Sequence, residues 1–113
     1  MIEIEPLMSF SVKMSNLPES VQNFVKTIAQ SSLAEKIILF GSRARGDHNQ
    51  NSDYDLAVFW QPHHEGKVLK FKADLSELPL TLHKVDILDL SSASDSYRRE
   101  IKNEGILLWQ KKA

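Results

Sequence analysis

Cysteine is absent from the 113 residues. No disulfide framework and no thiolate zinc site is therefore possible. Charge of one sign is missing too. The formal net charge is −1, which gives no bulk attraction to nucleic acid or to an anionic membrane. No apolar run reaches membrane-spanning length, and the first thirty residues lack a basic-then-apolar leader pattern, so a cytoplasmic location is expected. Internal repeats and low-complexity tracts are absent. So is a Walker A loop, since no glycine precedes a Lys-Ser or Lys-Thr pair. What remains is an ordinary globular mixture. Apolar residues make up 42% and charged residues 26%, enough for one domain with a modest core.

The informative stretch runs from Lys36 to Phe59. Ile37 to Phe40 reads as a buried strand, and Gly41-Ser42 breaks it. A polar segment leads to Asp53-Tyr54-Asp55 and a second apolar run, Leu56 to Trp60. Side chains alternate along a strand, so Asp53 and Asp55 share a face and Tyr54 points away. Two adjacent carboxylates repel unless a cation sits between them. Magnesium suits the position, because it takes oxygen ligands from one or two carboxylates and from substrate phosphates. Gly41 lets backbone approach a ligand closely. Ser42 is an acceptable N-cap for a helical turn over Arg43 to Arg45, and N–H groups at a helix start attract phosphate. Arg43 and Arg45 add positive charge. The combination suits a nucleoside triphosphate with magnesium.

Gly41-Ser42, ten residues, then Asp53-x-Asp55 resembles the signature of the DNA polymerase β-like nucleotidyltransferases. The fuller string, Gly-Ser-Arg-Ala-Arg-Gly followed by Ser-Asp-Tyr-Asp-Leu-Ala-Val, is similar to the minimal nucleotidyltransferases (MNT), which are paired with helical HEPN-domain proteins. The tight match covers 37–59 and a looser one extends to 109. Other families with Asp-x-Asp fit less well. Haloacid-dehalogenase-type phosphatases place the pair after a strand and require a threonine where Ala57 stands. Glycosyltransferases with such a pair are normally far longer.

The resemblance implies a third carboxylate on a neighbouring strand, in the pattern apolar-Asp-apolar. Asp86, between Val85 and Ile87, fits that slot. An acidic side chain in an apolar strand is costly unless paired or bound. An ion pair to Lys84 or an arginine is the bland explanation, and Asp89 at the strand end is the runner-up for the slot. The implied mechanism is two-metal nucleotidyl transfer. Asp53, Asp55 and Asp86 hold two magnesium ions, about 3.5–4 Å apart in such sites. Gly41 and Ser42 hold the β and γ phosphates of ATP, while Arg43 and Arg45 neutralise phosphate charge or meet an acidic partner surface. AMP then passes to a hydroxyl, a tyrosine of a HEPN toxin, and the chain acts as an antitoxin by AMPylation, in a homo- or hetero-oligomer. Two other readings stay open: an antitoxin that only binds the toxin, and a small-molecule enzyme of the aminoglycoside-modifying kind. The module is short of surface to enclose a small acceptor, which favours a protein partner over a small molecule.

The expected fold is α+β, a small mixed β-sheet with helices packed on one face and the carboxylates on the other. Residues 1–15 form an N-terminal arm, with Ile2 to Glu5 strand-like and Pro6 a stop, and residues 16–113 form the nucleotidyltransferase domain. Asn16 to Glu19 reads as a helix start, followed by a face of Leu17, Val21, Phe24, Val25 and Ile28. His63 and His64 fall in a loop and are expected to be solvated, as are the isolated His48 and His83. Lys67 to Leu78 has helical spacing and ends at Pro79. Leu82 to Leu88 is the third strand. Ser92 with Asp95 resembles a capping box for a helix that ends near Gly105. Ile106 to Trp109 adds an edge strand or packs on the core, and Lys111-Lys112 forms a solvated tail.

Overall fold

A computed structural model describes residues 8–77 and 83–112. Its secondary structure begins with β1 (Met8–Phe10), a 3₁₀ turn (Val12–Asn16) and α1 (Glu19–Gln30). Then come β2 (Ala34–Phe40), the single helical turn α2 (Ser42–Arg45), β3 (Tyr54–Trp60) and α3 (Glu65–Ser76). β4 (Val85–Asp89), α4 (Asp95–Glu104) and β5 (Ile106–Lys111) complete the described residues. The five strands make one sheet in the order β1-β5-β2-β3-β4. β3 and β4 are parallel, with α3 carrying the chain between them, and the other pairs are antiparallel.

The apolar periodicities explain the layers. α1 buries Val21, Phe24, Val25, Ile28 and Ala29, the stripe expected of a helix lying on a sheet. It packs on Ile37, Leu39, Leu56 and Val58, together with Val68 and Leu75 of α3. The opposite face has a smaller apolar cluster, Phe40, Ala57 and Ile101, with Ile38, Leu88 and Leu90 against it. Ile101 belongs to α4, so the face that bears the carboxylates is itself partly covered by a helix. Gly105 permits this close approach. A Cβ there would run into the Ile101 carbonyl and the Ile38 side chain.

Several local expectations are corrected by backbone detail. Pro18, not Asn16, occupies the N-cap of α1, and no side chain caps that end. Ser94, not Ser92, caps α4, accepting from the Tyr97 amide. Gly105 has φ −67°, so it ends α4 without a left-handed cap. Residues 106–111 form no edge strand: β5 lies inside the sheet, between β1 and β2. Within residues 1–15, β1 pairs with β5 and Met14 is buried in the main core. The expected strand at Ile2 to Glu5, the stop at Pro79 and the strand start at Leu82 lie outside the described residues. Among the described residues, no helix is long and apolar enough to cross a membrane.

Leu108 is fully buried and Leu107, next to it, is 41% exposed. Leu108→Ala is expected to cost about 2–5 kcal/mol of unfolding free energy, through lost burial and a residual cavity. Leu107→Ala is expected to stay within about 0.5 kcal/mol of the parent. Chemical denaturation of the two variants checks the assignment of β5 as an interior strand.

Candidate active site

One row across three strands builds the site. Phe40, the last residue of β2, is paired with Asp55 of β3, and Asp55 is paired with Asp86 of β4. Residues paired across a sheet share a face, so Asp55 and Asp86 stand side by side. Tyr54, Leu56 and Val58 point the other way, into the main core. Asp53 immediately precedes β3, and its carboxyl is near enough to that of Asp86 to push it above its ordinary range. The face assignment expected from alternation therefore holds for all three acids.

Gly41 makes room for this cluster. Its φ of 78° and ψ of −160° lie in a region that essentially only glycine occupies. A Cβ at Gly41 would collide with the Asp55 carboxylate. The glycine is thus required twice, by backbone conformation and by space. It is also the N-cap of α2, with its carbonyl accepting from the Ala44 and Arg45 amides. Ser42 is consequently the first residue of the turn, not its cap, and its hydroxyl has no hydrogen-bond partner among the described residues.

A cavity of about 500 Å³ opens over the row. It is bordered by Gly41, Ser42, Arg45, Asp55 and Asp86. The helix α4 supplies Tyr97 and Glu100 to its wall. Arg45 reaches Asp47 at 3.0 Å, and Glu100 and Glu104 at 3.4 Å. Arg43 stands away from this cavity. Its guanidinium donates to the Ser52 and Gln50 carbonyls and lies over the Tyr54 ring. The two arginines of one turn therefore face different parts of the molecule.

Sequence reasoning missed Tyr97 and Glu100. The available signal was their spacing: residues 97, 100, 101 and 104 fall on one helical face, and Ile101 anchors that face to the sheet. Asp89 is separated from the cluster. It accepts from the Trp60 indole N–H at 2.9 Å and pairs with Lys72 at 2.9 Å, on the α3 side of the sheet. Lys84 forms its ion pair with Asp53, at 3.6 Å. His63 and His48 are exposed and, among the described residues, belong to no cluster of metal-ligating groups.

Electrostatics mark the cluster as strained. Burial, then the charges of Asp86 and Asp53, push the Asp55 carboxyl above its ordinary range, while Arg45 pulls it back. Partial burial, then the neighbouring Asp53 carboxylate, which accepts from Asp86 when Asp86 is protonated, push Asp86 up, opposed by Lys84. Crowded carboxylates of this kind fit a divalent cation with oxygen preference. Among the described residues no group of three or more acidic or imidazole side chains stands close enough to hold a metal ion by itself.

Residues 22–113 match the family described as "Polymerase beta, Nucleotidyltransferase". The chain belongs to this nucleotidyltransferase family. No curated protein matches. Among solved structures, it is 25% identical to a chain of "the toxin-antitoxin with AMP-PNP", with a TM-score of 0.55 over 82% of this chain and 74% of that one. A variant of the toxin–antitoxin MntA-HpeT is 27% identical, TM-score 0.53, over 83% and 73%. A third structure, described as a candidate minimal nucleotidyltransferase, shares the fold at 24% identity and TM-score 0.60, over 82% and 93%.

Two outcomes test the geometry without any ligand. Because Asp55 is raised, the folded state holds its proton more tightly than the unfolded chain does. Its contribution to stability is therefore most favourable below the ordinary carboxylate value, about 3.9, and declines as pH rises through the raised value. Asp55→Asn in chelated buffer should match the wild type at low pH and gain on it above that window, read by denaturant midpoints across a pH series. Gly41→Ala should lose about 1–3 kcal/mol from backbone strain, measured the same way.

Proposed function

We propose that this protein is a magnesium-dependent nucleotidyltransferase that moves AMP from ATP to a hydroxyl, a tyrosine, of a partner HEPN toxin, and so acts as an antitoxin in the cytoplasm. The observation that carries the reading is the in-register pair Asp55 and Asp86, with Asp53 close by, beneath the space that Gly41 leaves empty. The neighbours with toxin–antitoxin titles, one of them with AMP-PNP, support the choice of nucleotide and partner.

Each residue has a task in this reading. Asp53, Asp55 and Asp86 would hold magnesium, two ions in all, which when bound neutralises phosphate charge and acidifies the attacking hydroxyl. Gly41 and Ser42 seat the β and γ phosphates, with the free Ser42 hydroxyl as donor. Arg45, at the cavity wall, offsets phosphate charge once its three carboxylate partners give way. The acceptor oxygen forms its bond to the α-phosphorus as the bond to pyrophosphate breaks, and its proton leaves to a site carboxylate. The cavity is open to solvent over Asp86, which is exposed, so a partner side chain can approach from that side. Near-attack geometry requires it to come within about 3–3.5 Å of the phosphorus.

ATP and magnesium together should raise the melting temperature more than the sum of either alone. Each binds the native state, and the triphosphate oxygens complete the metal shell. Ser42→Ala should shrink that shift, read by scanning fluorimetry. In the co-expressed toxin, mass spectrometry should find added AMP on a hydroxyl side chain, lost with Asp53→Asn or Asp55→Asn. An unmodified toxin that is still inhibited by the Asp55→Asn protein would leave binding alone as the antitoxin activity.

A further inference from the structure

Arg43 and Arg45 leave the same helical turn in opposite directions, because residues two apart on a helix point about 200° apart. Arg45 turns to the cavity and α4. Arg43 turns to the loop that precedes β3. Its Nε donates to the Ser52 carbonyl at 3.3 Å, and its Nη2 donates to the same carbonyl at 3.2 Å and to that of Gln50 at 3.3 Å. Its Cζ lies 4.4 Å from the centroid of the Tyr54 ring, within cation–π range.

Ser52 and Tyr54 are the two chain neighbours of Asp53. The guanidinium grips the carbonyl of one and stacks on the ring of the other, and so brackets the acid between them. What it holds at each side is firm. The Asn49 side chain accepts from the Asn51 amide at 2.8 Å, and the Ser52 hydroxyl accepts from the Asn49 amide at 3.1 Å. Tyr54 is buried in the core and meets the His83 ring edge-on. Asp55 sits within the β-ladder, flanked by two strands. Asp53 stands outside β3, where this loop and an ion pair with Lys84 are what hold it.

We infer that Arg43 is a positioning residue for Asp53: it fixes that carboxylate at the mouth of β3, ready for a divalent cation, and does not itself hold the nucleotide. The inference rests on reading the three acids as a cation-dependent transfer site. Arginine is needed for it. Lysine has no planar fork to serve two carbonyls and cover a ring at once. Groups that orient metal ligands are worth about 10- to 100-fold in metal affinity.

The test titrates the full-length chain with manganese alone, reading free ion by paramagnetic resonance and the protein by thermal shift. Arg43→Lys should raise the half-saturating manganese by about 10- to 100-fold, with the metal-free melting temperature held near that of the wild type. In transfer assays the half-saturating magnesium should rise equally, while kcat at saturating metal is retained. On an Asp53→Asn background, Arg43→Lys should add little, because both changes remove the same ligand. Arg43→Ala repeats the series, and Arg43→Lys carries it if the alanine variant does not fold. Unchanged half-saturation in Arg43→Lys, or full additivity with Asp53→Asn, overturns the assignment to Arg43 alone. A loss of ATP affinity without loss of manganese affinity also overturns it and returns Arg43 to the nucleotide. A wild type that binds neither manganese nor ATP overturns this inference together with the transfer reading.

Discussion

Repulsion among three carboxylates is the constraint on which the rest of this structure turns. The sheet register forces Asp55 beside Asp86, and Asp53 joins them from the entrance of β3. Without a cation, such a cluster lowers the stability of the fold that creates it. The protein tolerates this because the acids lie at a rim, not in the interior: Asp86 is exposed, Lys84 is near, and Arg45 contributes opposite charge. The opposite face of the same strands compensates. Leu56, Val58 and Ile37 are fully buried beneath α1, each stabilising by about 1.5–3 kcal/mol. The larger core thus lies on one side of the sheet, and the acids lie on the other at the edge of the smaller cluster around Phe40, Ala57 and Ile101.

The supporting parts are arranged around the cluster with little redundancy. Gly41 supplies space under Asp55, and the turn that begins there sends one arginine to the cavity and the other to the loop. α4 closes the flank with Tyr97 and Glu100. Glu100 contributes twice: it engages Arg45 and adds to the negative field on Asp55. The charge balance of the cavity is thus set as much by α4 as by the strands that bear the signature residues.

Much of this was legible in the residues. The alternation around Asp53, Tyr54 and Asp55 places the acids on one face, and the apolar flanks of Asp86 single it out, because strand period is short and local. What separates Asp86 from Asp89 is contacts far apart in sequence: Asp86 pairs with Asp55, and Asp89 meets Trp60 and Lys72. The helix caps are less legible. Asn16 and Ser92 have the right chemistry near the right places, but Pro18 and Ser94 occupy the caps, since exact ends depend on packing of the first turn. The position of β5 was also hidden. A four-residue apolar run is compatible with an edge or an interior strand, and the choice is made by which strands it meets. Arg43 and Arg45 looked equivalent in the signature, and only the helical phase of the turn distinguishes them.

β5 carries a consequence for time. Residues 106–111 pair with residues 8–10 on one side and 36–39 on the other. Both pairings span most of the chain, and long-range pairings are slow because loop closure precedes any gain from contact. The hairpin-like pairing of β2 with β3 is nearer in sequence and can form sooner. During synthesis the acids Asp53 and Asp55 are therefore made, and can meet β2, well before the sheet is locked by β5. A newly made molecule passes through an interval in which β2 and β3 exist without the strand that joins them to β1, and that interval ends only when the last residues of the sheet are made.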